Sequence, residues 1–530
     1  MASNKTKRTH IMKKSLQITL FTILFSTLVG LYAPEANAQN QKIGVIADIH
    51  YFDPDLLIND GSAFQTYLAY DRKLLQESEA ILESVVDSLI AQNLDAVIVA
   101  GDLTKDGEES GHQKVASYFQ QLEDAGIEVI VTPGNHDINN PHAWSFDGDT
   151  AMPVPSVSPE DFATIYNNYG FNEATATDTA SLSFVYHLTD SLTVISMDVC
   201  RYDSNYVDQY PTTSGGFKPE VLDWVISQIT AARATGRTVF GVMHHGIVEH
   251  YMGQKDLFPE YVIDQWDSVS TILAEAGMNI VFTGHYHAQD MVMKTTDESF
   301  IFDIETGSTV TYPSPYRILE YDGNTLAIQG KRIQEVDYNT GDLTFQQYAL
   351  DFLENGLPAL VKGMLMSEPY NLPDSTATMI EPSITESFIA HYSGDEGTPS
   401  AQTQQTMQML LEDPNYQAIG FAMQSIWNDP NPSDWNIEID MSTGAATGFA
   451  KTLINQPISI YPNPSQGTFT LSGEFKGKTT ARIYNLAGQV IFSTQLKNGD
   501  NQLSTNLKTG IFIVEIQSGN VKLSKKLIIR

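Results

Sequence analysis

Ala96-Val97-Ile98-Val99-Ala100 runs straight into Gly101-Asp102-Leu103-Thr104. Five unbroken apolar residues, mostly β-branched, read as a strand covered on both faces. Glycine followed by a carboxylate reads as a sharp turn at the C-terminal end of that strand. The same order, apolar run then polar motif, recurs along the chain. Residues 43–47 precede Asp48-Ile49-His50, residues 128–131 precede Gly134-Asn135-His136-Asp137, and residues 193–197 precede Asp198. Residues 239–243 precede His244-His245, and residues 280–283 precede Gly284-His285-Tyr286-His287. Helical periodicity separates several of these runs, through Leu74, Leu75, Ser78, Leu82, Val85 and Leu89, through Val115, Phe119 and Leu122, and through Val221, Leu222, Val225 and Ile229. Strands alternating with helices predict an α/β layered fold, in which ligands gather beyond the carboxyl ends of the strands. The motifs supply carboxylates, imidazoles and one amide, a donor set for two adjacent metal ions. Such a pair, roughly 3.5–4 Å apart, clamps the attacking and leaving oxygens of a phosphate ester.

Charge narrows the partners. Of 530 residues and a net charge of −34, segment 456–530 holds nine Lys/Arg against three Asp/Glu, and 1–38 holds five against one. The intervening 39–455 is therefore near −44 and repels polyanions, which excludes nucleic-acid binding through a basic face. A small phosphate ester stays compatible, because bound metal ions reverse the local field. At the N-terminus, Met12-Lys13-Lys14, a mostly apolar stretch 18–31 and Ala36-Asn37-Ala38 predict a signal peptide over 1–38. Thr19, Thr22, Ser26 and Thr27 interrupt that stretch, which is too short for a membrane anchor, so a mature protein without a transmembrane segment is expected. Cys200 is the single cysteine, which rules out an intramolecular disulfide and reads as a small buried hydrophobe.

Past His287, β-like runs at 300–304, 317–321 and 325–329 are expected to complete a second sheet. Residues 352–448 lean helical, with Met407, Leu410, Leu411, Ile419 and Met423 forming a core stripe of a cap. From 458 onward, short strand-like runs alternate with turn signals at Pro462-Asn463-Pro464, Ala487-Gly488 and Thr509-Gly510, which predicts a small antiparallel β-sandwich behind an Asn455-Gln456-Pro457 hinge. The expected division is 1–38 signal peptide, 39–349 catalytic domain, 350–455 helix-rich accessory segment and 456–530 sandwich.

Five motifs in this order, each at a strand end, resemble the calcineurin-like metallophosphoesterase superfamily over about residues 42–345. The resemblance implies a four-layer α/β/β/α sandwich and two metal ions, Mn, Fe or Zn. It implies that Asp48, His50 and His287 hold the first ion, that Asp102 bridges, and that Asn135, His244 and His285 hold the second. His136 would be the general acid facing the leaving group, with Asp137 orienting it. The implied reaction is in-line attack of a metal-activated hydroxide on a phosphoester, a diester more than a monoester. Lys105 stands where the purple acid phosphatase branch needs tyrosine, and His50 is absent from that branch. Gly101-Asp102-Leu103-Thr104 with Gly107-Glu108 looks closer to the cyclic-nucleotide phosphodiesterase-like branch. Two rival readings share the ligand set: a phospholipase- or sphingomyelinase-like diesterase, and a non-catalytic metal-binding surface protein. Retention of His136, which would bind no metal, argues against the second.

His245, Arg72 and Arg201 are candidate substrate contacts, each with ordinary packing or surface ion pairing as the competing role. His112, His142, His187 and His250 read as satisfied structural histidines. At the C-terminal end, Tyr461-Pro462-Asn463-Pro464, Ile483-Tyr484-Asn485-Leu486-Ala487-Gly488, Leu507-Lys508-Thr509-Gly510 and Lys525-Lys526 resemble the type IX secretion sorting domain. That resemblance implies export through the type IX machinery after a periplasmic stage, to the medium or the cell surface.

Overall fold

The structure is a computed structural model and describes residues 40–368, 370–394, 396–428, 432–448, 459–473, 479–485, 490–505, 507–518 and 521–530. The expected signal peptide, the 455–457 hinge and 486–488 lie outside the described residues.

All six apolar runs are strands, divided between two seven-stranded sheets. The first sheet runs Ala446–Gly448, Asn436–Asp440, Thr325–Arg332, Pro315–Tyr321, Gln41–Ile46, Ala96–Ala100, Glu128–Thr132. Its last three strands are parallel. The second runs Asp290–Thr295, Phe300–Glu305, Met278–Thr283, Thr238–Val242, Leu192–Ser196, Phe184–His187, Ala176–Thr177, with parallel pairing from Phe300–Glu305 through Leu192–Ser196.

Side-chain alternation explains why these strands are apolar throughout. Ile43, Val45, Ile98 and Ile130 of the first sheet meet Phe240, Val242, Ile280, Phe282 and Phe302 of the second in one buried cluster. The residues between them face outward onto helices. Ile46, Val97, Val99 and Val131 pack on helices Ser78–Ile90 and Glu109–Asp124. Ile195, Val239 and Val281 pack on Pro219–Ala234 and Trp266–Ala276. Each buried aliphatic or phenyl side chain stabilises by about 1.5–3 kcal/mol, so both faces favour apolar residues, with buried exceptions such as Thr193 and Asp303.

Three expectations change. Leu74 and Leu75 are buried but precede the helix, which starts at Ser78. The runs after His287 do not finish one sheet: Phe300–Glu305 joins the second, whereas Pro315–Tyr321 pairs antiparallel with Gln41–Ile46 in the first. The helix-leaning stretch forms Phe345–Met366, Asp374–Ser393, Ala401–Glu412 and Gln417–Ile426, then returns as Asn436–Asp440 against Thr325–Arg332. It shares a core with Tyr251, Tyr286 and Ala288, on the loops that carry two of the histidine motifs. A boundary at 349/350 cuts through the first of those helices.

Residues from 459 onward build a three-stranded and a four-stranded antiparallel sheet over a shared core that includes Phe469, Leu471, Ile483, Val514 and Leu527. Among the described residues, no helix is long and apolar enough to cross a membrane.

Candidate metal centre

The five polar motifs converge because parallel strands from both sheets end on the same side. The chain must then turn sharply, and it does so at the motif residues themselves. Asp48, His50, Asp102, His285 and His287 all adopt positive φ, between 42° and 79°. Such strain costs of order 1–3 kcal/mol per residue and persists only where surrounding contacts hold it. Two glycines make the approach feasible. A Cβ on Gly134 would lie 2.1 Å from the Asp102 amide and carboxylate, and one on Gly284 would lie 2.4 Å from Asp48 Oδ2.

Three groups of ligand-type atoms result: Asp48, His50 and His287; His50, Asp102 and His136; Asp102, His244 and His285. His50 Nε2 stands 3.1 Å from His287 Nε2 and 3.5 Å from Asp102 Oδ2, and His287 Nε2 stands 3.4 Å from Asp48 Oδ1. His244 Nε2 is 3.2 Å from Asp102 Oδ2 and 3.0 Å from Asn135 Oδ1. Donors about 2.0–2.2 Å from one ion lie about 3–3.5 Å from one another, so this set fits a cation on either side of Asp102. Outer contacts select the inward nitrogens. His244 Nδ1 donates to the Ala100 carbonyl, and His287 Nδ1 meets Thr311 Oγ1. Burial, the dominant influence, holds His50, His285 and His287 below the ordinary histidine range, which keeps them neutral as ligation requires. Against the same burial, Asp102 raises His244 to about 9.

Residues 41–289 match the family described as calcineurin-like phosphoesterase, and residues 459–530 match the secretion system C-terminal sorting domain. Residues 41–289 are a calcineurin-like phosphoesterase domain. Among solved structures, a dimetal phosphatase from Danio rerio is 14% identical at TM-score 0.40, covering 56% of this chain and 97% of that one. The purple acid phosphatase PPD1 from yellow lupin (Lupinus luteus) seeds is 11% identical at TM-score 0.37, covering 56% and 52%. An endo-acting ulvan lyase from Formosa agariphila is 29% identical over 82 residues, 15% of this chain and 16% of that protein. The chain thus spans less than a fifth of this curated relative.

Within the phosphoesterase domain, His136 belongs to the middle group, with His50 and Asp102, and its ring lies 4.9 Å from that of His50. Its Nδ1 donates to the Lys105 carbonyl at 2.7 Å and to Asp106 Oδ1 at 2.9 Å. Both partners only accept, so Nδ1 keeps its proton and Nε2 is the nitrogen that exchanges one. The carboxylate that meets the His136 ring is Asp106, where Asp137 was expected. Asp137 instead accepts the amides of Leu103, Thr104 and Gly134, tying the Asp102 turn to the Gly134 turn. Asp106 is itself fixed: Oδ2 accepts from Lys105 Nζ at 2.5 Å and Tyr67 Oη at 2.9 Å. Lys105 is fully buried, also pairs with Glu108 at 2.9 Å, and lies 4.6 Å from the Tyr67 ring centroid. Burial would depress His136, but the Asp102 and Asp106 carboxylates outweigh it and the nearby Lys73, holding the imidazole above its ordinary value.

The weaker candidates separate. His245 is buried with Nε2 on the Thr213 carbonyl at 2.7 Å, and burial and His244 press it down to about 3. It anchors the loop before Gly215, the packing role that competed with substrate contact. Arg201 pairs with Asp264 and reaches Ser214. Arg72 stacks 5.3 Å from the Tyr392 ring centroid, and its charge, with that of Lys73, lowers His287. Lys73 was missed by sequence reasoning, although Arg72-Lys73 is a conspicuous cation pair in an acidic body. His112 is satisfied by Tyr166 and the Asp137 carbonyl, whereas neither ring nitrogen of buried His250 makes a hydrogen bond.

Proposed function

We propose that this chain is an exported metal-dependent phosphoester hydrolase acting on phosphodiesters. The observation that supports it most is the run of three linked ligand groups, the first two sharing His50 and the last two sharing Asp102, with His136 held at Nδ1 by Asp106 and the Lys105 carbonyl. Asp48, His50 and His287 would hold one ion, Asn135, His244 and His285 the other, and Asp102 both. The imidazole-rich set suits Mn, Fe or Zn. Bound there, such ions supply a nucleophile at neutral pH and neutralise charge on the phosphoryl oxygens.

The protein's own groups do the rest. Asp106 and the Lys105 carbonyl hold His136 Nδ1–H, which leaves the protonated Nε2 to donate to the departing alkoxide. Arg72 and Lys73 add positive charge on the His287 side, offsetting the acidic body for an anionic substrate. A diester has one ionised oxygen and a poor alkoxide leaving group, so it depends on that proton donor. The sorting domain at 459–530 supports export by the secretion machinery to the medium or cell surface.

The test is hydrolysis of an aryl phosphodiester by purified protein stripped of metal, then reconstituted with Mn. Activity should vanish reversibly and return as about two ions per chain bind. Turnover that survives complete removal of metal would defeat the reading.

A further inference from the structure

Behind the metal centre lies a second concentration of charge that catalysis leaves unused. His250 is buried among three buried carboxylates: Nδ1 is 3.2 Å from Asp290 Oδ2, and Nε2 is 3.3 Å from Asp303 Oδ2 and 3.5 Å from Glu305 Oε2. His391 adds a fifth member, 3.7 Å from Asp290 and 3.1 Å from Glu396. The nearby Arg317 guanidinium donates to the carbonyls of Asp290, Glu305 and Asp434. The carboxylates surround the His250 ring and not an open centre. Among the described residues, the ligand groups compact enough for an ion are the three already described.

What these carboxylates hold gives the cluster its meaning. Asp303 Oδ2 accepts the amides of Ile247 and Val248, at 2.6 and 2.9 Å, on the loop that leaves His244. Glu305 Oε1 accepts the amide of Ala288 at 3.1 Å, the residue after His287. His250 itself closes the first loop, and Asp290 closes the second. One imidazole thus faces carboxylates that clamp both histidine-bearing loops. Burial, with Asp303 and Asp290, already holds Glu305 well above the ordinary carboxylate range, so without a cation there the remaining carboxylates repel one another in a low-dielectric interior and must separate or gain protons.

We propose that His250 is a positioning residue, a buried cationic cross-link that sets the spacing of the two loops presenting His244, His285 and His287. This rests on the reading of those histidines as metal ligands. Burial works against a charged ring, but Asp290 and Asp303 hold His250 well above the ordinary histidine range.

The test compares His250→Gln with the double variant His250→Gln/Asp290→Asn, which removes one carboxylate charge along with the cation and leaves the acceptors of the three amides in place. Metal-free protein is read first, by hydrogen exchange. The amides of Ile247, Val248 and Ala288 should exchange faster in His250→Gln and recover in the double variant. Mn affinity is read second by titration calorimetry and should weaken about 10–100-fold in His250→Gln, the range for residues that support ligands, with recovery in the double variant. Unchanged exchange at those amides, or an equal loss in both variants, overturns the proposal. If the wild type binds no Mn, the metal reading fails, and the exchange data still judge the cross-link. Should His250→Gln not fold, His250→Lys must fold and keep slow exchange; its failure would count equally against a charge-based role.

Discussion

Replacing Asp106 with Asn isolates the orientation of the proton donor from everything else in the site. The substitution keeps shape and removes charge. Asp106 Oδ1 receives His136 Nδ1–H at 2.9 Å and Oδ2 receives the Lys105 ammonium at 2.5 Å, so an amide cannot satisfy both sides equally. A hydrogen bond to a charged group contributes about 1.5–3 kcal/mol. At 1.36 kcal/mol per tenfold, kcat for a poor leaving group should fall by about 10- to 150-fold. His136→Ala removes the donor and should cost about 10²–10⁴-fold. The assay is a series of phosphodiesters graded by leaving-group acidity. Loss in Asp106→Asn should shrink as the leaving group improves, because less protonation is needed, and bound metal should be unchanged. The two substitutions should not add in the double variant, since Asp106 acts only through His136. Additive losses, or a loss independent of leaving group, would refute the assignment. So would a larger leaving-group-dependent loss in Asp137→Asn, whose expected effect is lowered stability as three buried amides lose a carboxyl acceptor.

Asp102→Ala should be the most damaging single change for metal content, because its carboxylate approaches both His50 and His244; elemental analysis of the purified variant checks it. Phe282→Ala, in the fully buried cluster between the sheets, should lower unfolding free energy by about 3–5 kcal/mol in denaturant titration. The raised His250 value gives a pH signature. Its charge contribution to stability is complete below an unfolded pKa of about 6.5 and is lost as pH climbs through the higher folded value. Wild type should therefore show an alkaline decline in melting temperature that is shallower in His250→Gln. Removing 459–530 should leave hydrolysis nearly unchanged, since every candidate ligand lies at or before His287, while export to the medium falls. Equal export of the truncated chain would refute the sorting role.

The strands and the polar motifs at their ends were readable along the chain for a local reason. A strand covered on both faces is mostly apolar along its length, and a turn that aims a carboxylate or imidazole needs glycine or a short polar residue beside it. Both demands act within a few residues, so 96–102 and its five counterparts carry the message intact. Which sheet each later strand joins was not local. Pro315–Tyr321 and Phe300–Glu305 look alike as short β-like runs, and only hydrogen bonding to Gln41–Ile46 or Met278–Thr283 separates them. The proton donor shows the same division. His136 and the motif around it were legible, but its partner depended on where a turn points its side chains. Asp137, adjacent in sequence, faces backbone amides, while Asp106, 30 residues away, meets the ring. His250 is further still from local reading. It is a lone histidine in sequence, and its charge environment exists because Asp290, Asp303 and Glu305 arrive from other strands and their connections. Periodicity and turn chemistry act between neighbours, whereas long-range electrostatics is set by the tertiary fold, which alone decides which distant charges share one dry interior.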